Sequence, residues 1–364
     1  MKKNKKTTLL LIAFTFISNY LISQNTVCFT IESNTNTGLA FSGFSKYVNV
    51  LDCFDVYAES SISDEKVLHA AAVAAELLDN NEDGIVDDPL LEAELTLNGA
   101  LIPIFSIDGS IAENNFFNYY NGNGAAAVLY NNEMNPNQPG HWGSDATVEE
   151  VIHVINAIGH TNIYPSAFTP SPNSSLMSAA MDVARGGQFL SIPASYPAAA
   201  WYHYDDATCD YQCMAIEYMY WSIVSLMGIL DDPTTCTGIA NEWEPCSPTL
   251  FQSTDTLMYN LITDPQYSLP QLAPDGNYCP AGMSIIQNNL NPIYLYPNPS
   301  NGVLQINSAN DKINCIEVFN AQGVLIDRRH PGITNPKVNL EQLSNGVYFI
   351  SINQTNNRKI IINK

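Results

Sequence analysis

The sequence predicts an α+β protein, a mainly helical domain followed by a small C-terminal β-sandwich. Two observations predict it. Helical spacing of apolar residues recurs at Asp64–Leu78, Ala146–Ile158 and Tyr211–Leu230. From about Ile293 the chain breaks instead into short runs of β-branched and aromatic residues, with Pro, Asn and Gly between them. A polar seam at residues 288–292 separates the two regimes.

The chain opens on Lys2, Lys3, Lys5 and Lys6, followed by an apolar run from Thr8 to Ile17 and a more polar stretch to Ser23. That run is too short for a membrane span of ~20 residues. The pattern is that of a secretory signal peptide over 1–23, cleaved near Ser23. No later segment is long and apolar enough to span, so no membrane span is expected in the mature protein.

Charge is unevenly spread. The full chain carries a formal charge of -22, yet from Gln24 to Leu290 the basic side chains are Lys46, Lys66 and Arg185 alone. Such a surface repels nucleic acid and favours cations. Aromatic and aliphatic residues are plentiful throughout, which excludes an acidic disordered tail. The eight cysteines of an exported chain are expected to form disulfides. Cys209 and Cys213 lie close in sequence, Cys236 and Cys246 bracket a loop, and Cys28, Cys53 and Cys279 can staple the outer parts; spacing alone does not fix the pairing.

In the large block, 24–287, the Ala-rich spacing predicts a helix over Asp64–Leu78 with Asp64 as its N-cap. Helices are likewise predicted over Ala146–Ile158 and Tyr211–Leu230, and strands over Ala100–Ile107 and Ala125–Tyr130. The Pro- and Ser-rich stretch Thr169–Ser175 reads as a loop.

The last block, 293–364, reads as strands at Val303–Ile306, Ile316–Phe319, Val324–Ile326, Gly346–Ile352 and Lys359–Ile362. The Tyr-Pro-Asn-Pro of 296–299, Asn301-Gly302, the turn from Phe319 to Gly323, the Leu-Ser-Asn-Gly-Val-Tyr of 343–348, and Lys359 and Lys364 follow in order. Together they resemble the type A sorting domain of the Bacteroidetes type IX secretion system. The resemblance implies engagement of the type IX machinery, passage through the outer membrane, and release or surface attachment. Any activity must then reside in the acidic block.

Two motifs there point to metals. Asp79, Asn81 and Asp83, with Gly84 for the sharp turn, follow the first half of an EF-hand calcium loop. Its twelfth position is Leu90 rather than glutamate, which leaves Asp87 or Asp88 to complete the set. A metal-free Asx turn is the competing reading.

The second motif is Glu149-Glu150-Val151-Ile152-His153. On a helix, Glu149 and His153 lie i, i+4 on one face, ~6 Å apart along the axis, and could share one metal. Carboxylate and imidazole both suit zinc, and Glu150 falls where a general base would stand. The segment thereby resembles, in part, the HExxH helix of zincin peptidases, with glutamate in place of the first histidine. The resemblance implies a zincin-like domain, a third ligand, and water activated by Glu150. Two third ligands stay open: His160, if Gly159 ends the helix in a left-handed turn that brings the chain back, or Glu217, on the later helix. Tyr211 is placed as an oxyanion donor in the same cleft. A surface charge pair or a satisfied core histidine is the bland alternative for the same residues.

The stretch 200–211, dense in Tyr, Trp and Asp and holding His203, suits substrate contact or a disulfide-braced loop. Arg185 is expected to pair with Asp182. No Gly-x-Ser-x-Gly elbow or glycine-rich phosphate loop occurs. The expected function is a secreted or surface-attached metal-dependent hydrolase, a zinc peptidase acting on a peptide. The rival is a non-catalytic, calcium-stabilised surface protein that binds a glycan or a protein partner.

Overall fold

The computed structural model describes residues 28–280, 293–308, 312–320, 324–353 and 356–364. The predicted signal peptide and the polar seam lie outside the described residues. The chain divides into two units, Met1–Ser284 and Ile285–Lys364.

Unit 1 is built on a five-stranded mixed sheet, β1 (Glu32–Ser33), β2 (Lys46–Val50), β3 (Phe54–Ala58), β4 (Ala100–Phe105) and β5 (Leu129–Tyr130), in that spatial order. β1, β2 and β3 run antiparallel; β3, β4 and β5 run parallel. The first parallel connection carries α1 (Asp64–Leu78) and α2 (Pro89–Asn98), and the second carries α3 (Ile111–Tyr119). Every residue of β4 is buried, as expected of a parallel strand covered on both faces.

α1 matches its predicted span, but Ser63, not Asp64, is its N-cap, accepting from the Lys66 N–H. Ser63 keeps extended backbone while Asp64 is already the first helical residue, where its charge still favours the helix N-terminus. The run of alanines after His69 is wholly buried, which lets α4 (Thr147–Val154) lie against α1 and β4.

Beyond α4 the chain does not turn back. Residues Ile155–His160 continue as a π-helical segment into α5 (Thr161–Ile163) and α6 (Pro165–Phe168). Gly159 therefore does not end a helix in a left-handed turn. Its missing side chain serves packing: a Cβ there would sit 2.2 Å from Leu91 Cδ1 of α2.

The helices α7 (Leu176–Ala184), α8 (Tyr211–Met227), α9 (Pro233–Ile239), α10 (Pro248–Thr254) and α11 (Thr256–Ile262) complete unit 1. α8 starts on Asp210, which accepts from the Gln212 and Cys213 N–H groups, and stops at Gly228 with φ 75°, a left-handed position that suits glycine. Beside it Tyr202, Tyr218, Trp221, Trp243 and Phe251 form a buried aromatic cluster. Disulfides join Cys28–Cys279, Cys209–Cys213 and Cys236–Cys246; Cys53 and Cys315 are free.

Unit 2 has two sheets, one ordered β10-β7-β6 and one β12-β11-β8-β9. The strands are β6 (Ile293–Tyr296), β7 (Val303–Ser308), β8 (Ile316–Asn320), β9 (Leu325–Arg329), β10 (Lys337–Asn339), β11 (Gly346–Ile352) and β12 (Asn356–Ile362). Leu304, Ile306 and Val338 of the first sheet share one core with Val318, Ile350 and Ile360 of the second. That is a β-sandwich.

Candidate metal centre

α4 and α8 meet at the centre of unit 1, and there the structure brings Glu149, His153 and Glu217 together. Ligand-capable atoms of the three lie within 4.8 Å of one another. His153 Nε2 stands 3.9 Å from Glu149 Oε1 and 3.5 Å from Glu217 Oε1. Four ligands ~2.1 Å from a tetrahedral zinc are ~3.4 Å apart. The three donors stand up to about 1.4 Å wider than that, so they would have to draw together around such an ion.

The electrostatics favour a cation. Burial opposes charge on His153, yet the nearby carboxylates of Glu149, Glu217 and Glu150 outweigh burial and lift the imidazole to about 9. A buried site that holds a proton this firmly attracts positive charge of any kind. Burial also raises Glu217. For Glu150 burial is again the largest cause, offset by His153 and reinforced by Glu149, Glu133 and Glu217, and it pushes the carboxyl up to about 8. The other ring nitrogen, His153 Nδ1, has no hydrogen-bond partner among the described residues.

Around the three ligands stand groups that the sequence did not single out. Tyr220, one turn beyond Glu217 on α8, is buried, shares the lining of one hollow with Glu149, and its ring lies 5.6 Å from that of His153. Tyr204 is half-buried within electrostatic range of Glu217 and Glu149; burial first, then these carboxylates, raise its phenol. Glu133 lines a hollow with Glu149 and Tyr220 on one side and a second hollow with Glu150 on the other. Glu242, which burial raises to about 7, accepts from Trp221 Nε1 at 3.2 Å. Only the aromatic density of 200–221 hinted at these; Glu133 left no signal in sequence.

Several expected residues lie elsewhere. His160 is buried on the far side of the π-helical segment, with Nδ1 2.9 Å from Asn156 Oδ1 and its ring facing Phe168. The continuing helix carries it away from the triad. Tyr211 is buried and donates to Asp182 Oδ1 at 2.8 Å and to Ser178 O at 3.1 Å, so the structure does not bring it to the three ligands. Asp182 is thereby engaged, with Gln188 on its other oxygen. Arg185, expected to pair with it, is fully buried instead between Phe189 and Tyr196 and donates to Phe189 O and Tyr196 Oη.

The loop after α1 closes on itself. Asp79 accepts from the N–H groups of Asp83 and Gly84 and from Tyr278 Oη, and Asp83 from the Ile85 N–H. Asp87 accepts from the Asn80 N–H and from Asn81 Nδ2. These hydrogen bonds close the loop in the manner of Asx turns, and the oxygens that make them include those the sequence assigns to calcium. Asn80 and Glu76 then fasten the last stretch of the unit, by accepting from the N–H groups of Gln271, Leu272, Gly276 and Asn277. His69 Nε2 lies 3.2 Å from Asp145 Oδ2. Asp145 also accepts from the Asn135 and Gly140 N–H groups and from Thr147 Oγ1, so this pair fixes the loop that leads into α4.

Among known proteins, residues 294–363 match the family described as the secretion system C-terminal sorting domain. The sandwich of unit 2 is therefore a sorting domain, and it marks the chain for type IX export to the cell surface or beyond. Among the described residues no helix is long and apolar enough to cross a membrane. The chain matches no curated protein.

Proposed function

We propose that unit 1 is a metal-dependent hydrolase that works outside the cell, a zinc peptidase of zincin-like design. The observation that carries this is the convergence of Glu149, His153 and Glu217 beside the buried carboxyl of Glu150. In this reading Glu149, His153 and Glu217 hold the ion. When bound, zinc supplies Lewis acidity toward a carbonyl and makes water a stronger acid.

The chain's own residues do the rest. Glu150, held near neutrality by burial, takes a proton from the attacking water and returns it to the leaving nitrogen. Tyr220, buried beside Glu149 in the lining of one hollow, limits where that ligand can move. Tyr204, half-buried and within electrostatic range of Glu217 and Glu149, has no side-chain hydrogen bond among the described residues and is available to a substrate oxygen. It takes the role that the sequence alone assigns to Tyr211.

The test is elemental analysis of the purified full chain, with hydrolysis of a fluorogenic peptide library read in parallel. The expected result is about one zinc per chain, lost in His153→Ala. Glu150→Gln should retain the zinc while hydrolysis falls at least ~100-fold, the scale of general-base catalysis. A chain with no transition metal, or a Glu150→Gln variant as active as wild type, overturns the reading.

A further inference from the structure

Beside β5, at the edge of the sheet, lies a cavity of about 480 Å³ that includes Phe116, Phe117, Tyr120, Tyr130, Glu133 and Glu150 in its lining. No Lys or Arg lines it. We propose that this cavity binds the cationic side chain of a peptide, arginine or lysine, with its stem on the aromatic rings and Glu133 as counter-charge. The proposal deepens the peptidase reading and rests on it for the peptide.

The chemistry of the walls selects this occupant. Phe116 and Tyr120 stack at 4.6 Å, and Phe117 packs edge-on against Phe116. Aromatic faces attract guanidinium and ammonium groups, and long basic side chains lay their methylenes along such surfaces. The acids at the end of the cavity have unused capacity. Glu133 Oε1 accepts from the Tyr130 N–H, but Oε2 accepts nothing among the described residues. Glu150 accepts no hydrogen bond there either. A neutral apolar group would cover the free oxygen of Glu133 without compensation, and an anion would be repelled.

None of the three basic side chains of unit 1's described residues lines the cavity. Lys46 is bound to Asp64 and to Ile62 O, Lys66 to Asn131, and Arg185 is enclosed by Phe189 and Tyr196. Glu133 is also the wall shared with the hollow of Glu149 and Tyr220. A basic side chain held there places the attached backbone beside Glu150.

Calorimetric titration of the full chain tests this without turnover. The probes are Nα-acetyl-arginine methylamide and its neutral counterpart Nα-acetyl-citrulline methylamide. The arginine probe should bind at least tenfold more tightly. Glu133→Gln, which keeps an oxygen for the Tyr130 N–H, should weaken it tenfold or more, and Phe117→Ala, at an exposed position, several-fold. Equal affinity for the two probes, no binding of either, or unchanged affinity in Glu133→Gln overturns the proposal. Failure of the zinc reading would show instead in metal content and hydrolysis, with the arginine preference intact.

Discussion

His160 should make the protein sensitive to mild acid, and the size of the effect follows from its surroundings. The side chain is 1% exposed. Nδ1 meets Asn156 Oδ1, while Nε2 has no partner among the described residues. Burial lowers the imidazole to about 4 from its ordinary 6.5, and Asp88, the nearest charge, offsets this only in part. The native state thus keeps His160 neutral where the unfolded chain has already taken up a proton. Stability from this group is full above 6.5 and is lost as the pH falls from 6.5 toward 4. A shift of this size corresponds to about 3 kcal/mol. Glu76 and Glu150, both lifted by burial to about 8, act in the opposite direction over an overlapping range, so the comparison must be with a variant. His160→Gln keeps an amide that can reach Asn156 and does not titrate. All four tryptophans lie in unit 1, so urea unfolding followed by tryptophan fluorescence reports on that unit alone. Over this pH range wild type should lose about 3 kcal/mol more than the variant does. Parallel curves would refute the reasoning.

Two further outcomes are expected. Asp255→Ala removes the acceptor of Tyr218 Oη at 2.6 Å, Trp201 Nε1 at 2.9 Å and the Met258 N–H that caps α11; it should cost about 3 kcal/mol in the same urea assay. Deleting residues 294–363 should leave the protein behind the outer membrane, which immunoblotting of culture medium, cell surface and periplasm would read directly.

Legibility in sequence tracks how local each determinant is. α1 matches its span because helical spacing and alanine agree within one segment, although the cap is Ser63 and not Asp64. β7, β8, β9, β11 and β12 of unit 2 are readable for the same reason, whereas β10 has only three residues. The β2–β3 hairpin leaves no such mark. Its connection puts Leu51 and Asp52 at φ 50° and 59°, where sequence reading looks for Asn and Gly. Glu149 and His153 are legible from helical spacing, and Glu217 from an acid set among aromatic residues. His160 is misplaced by sequence because Gly159 resembles a local stop, whereas Leu91, distant in sequence, sets its role. Glu133, Tyr204 and Tyr220 become neighbours of the centre only through folding.

The Cys28–Cys279 link also has a mechanical meaning. It holds the first and last described stretches of unit 1 at a Cα separation of 4.9 Å, across 251 residues of chain. A pull applied to the chain on the N-terminal side of Cys28 and on the C-terminal side of Cys279 runs through that one covalent bridge. The sheet, the buried helices and the centre between them lie off the load path. Tension along the chain outside the bridge thus leaves the sheet, the helices and the carboxylates between Cys28 and Cys279 unloaded.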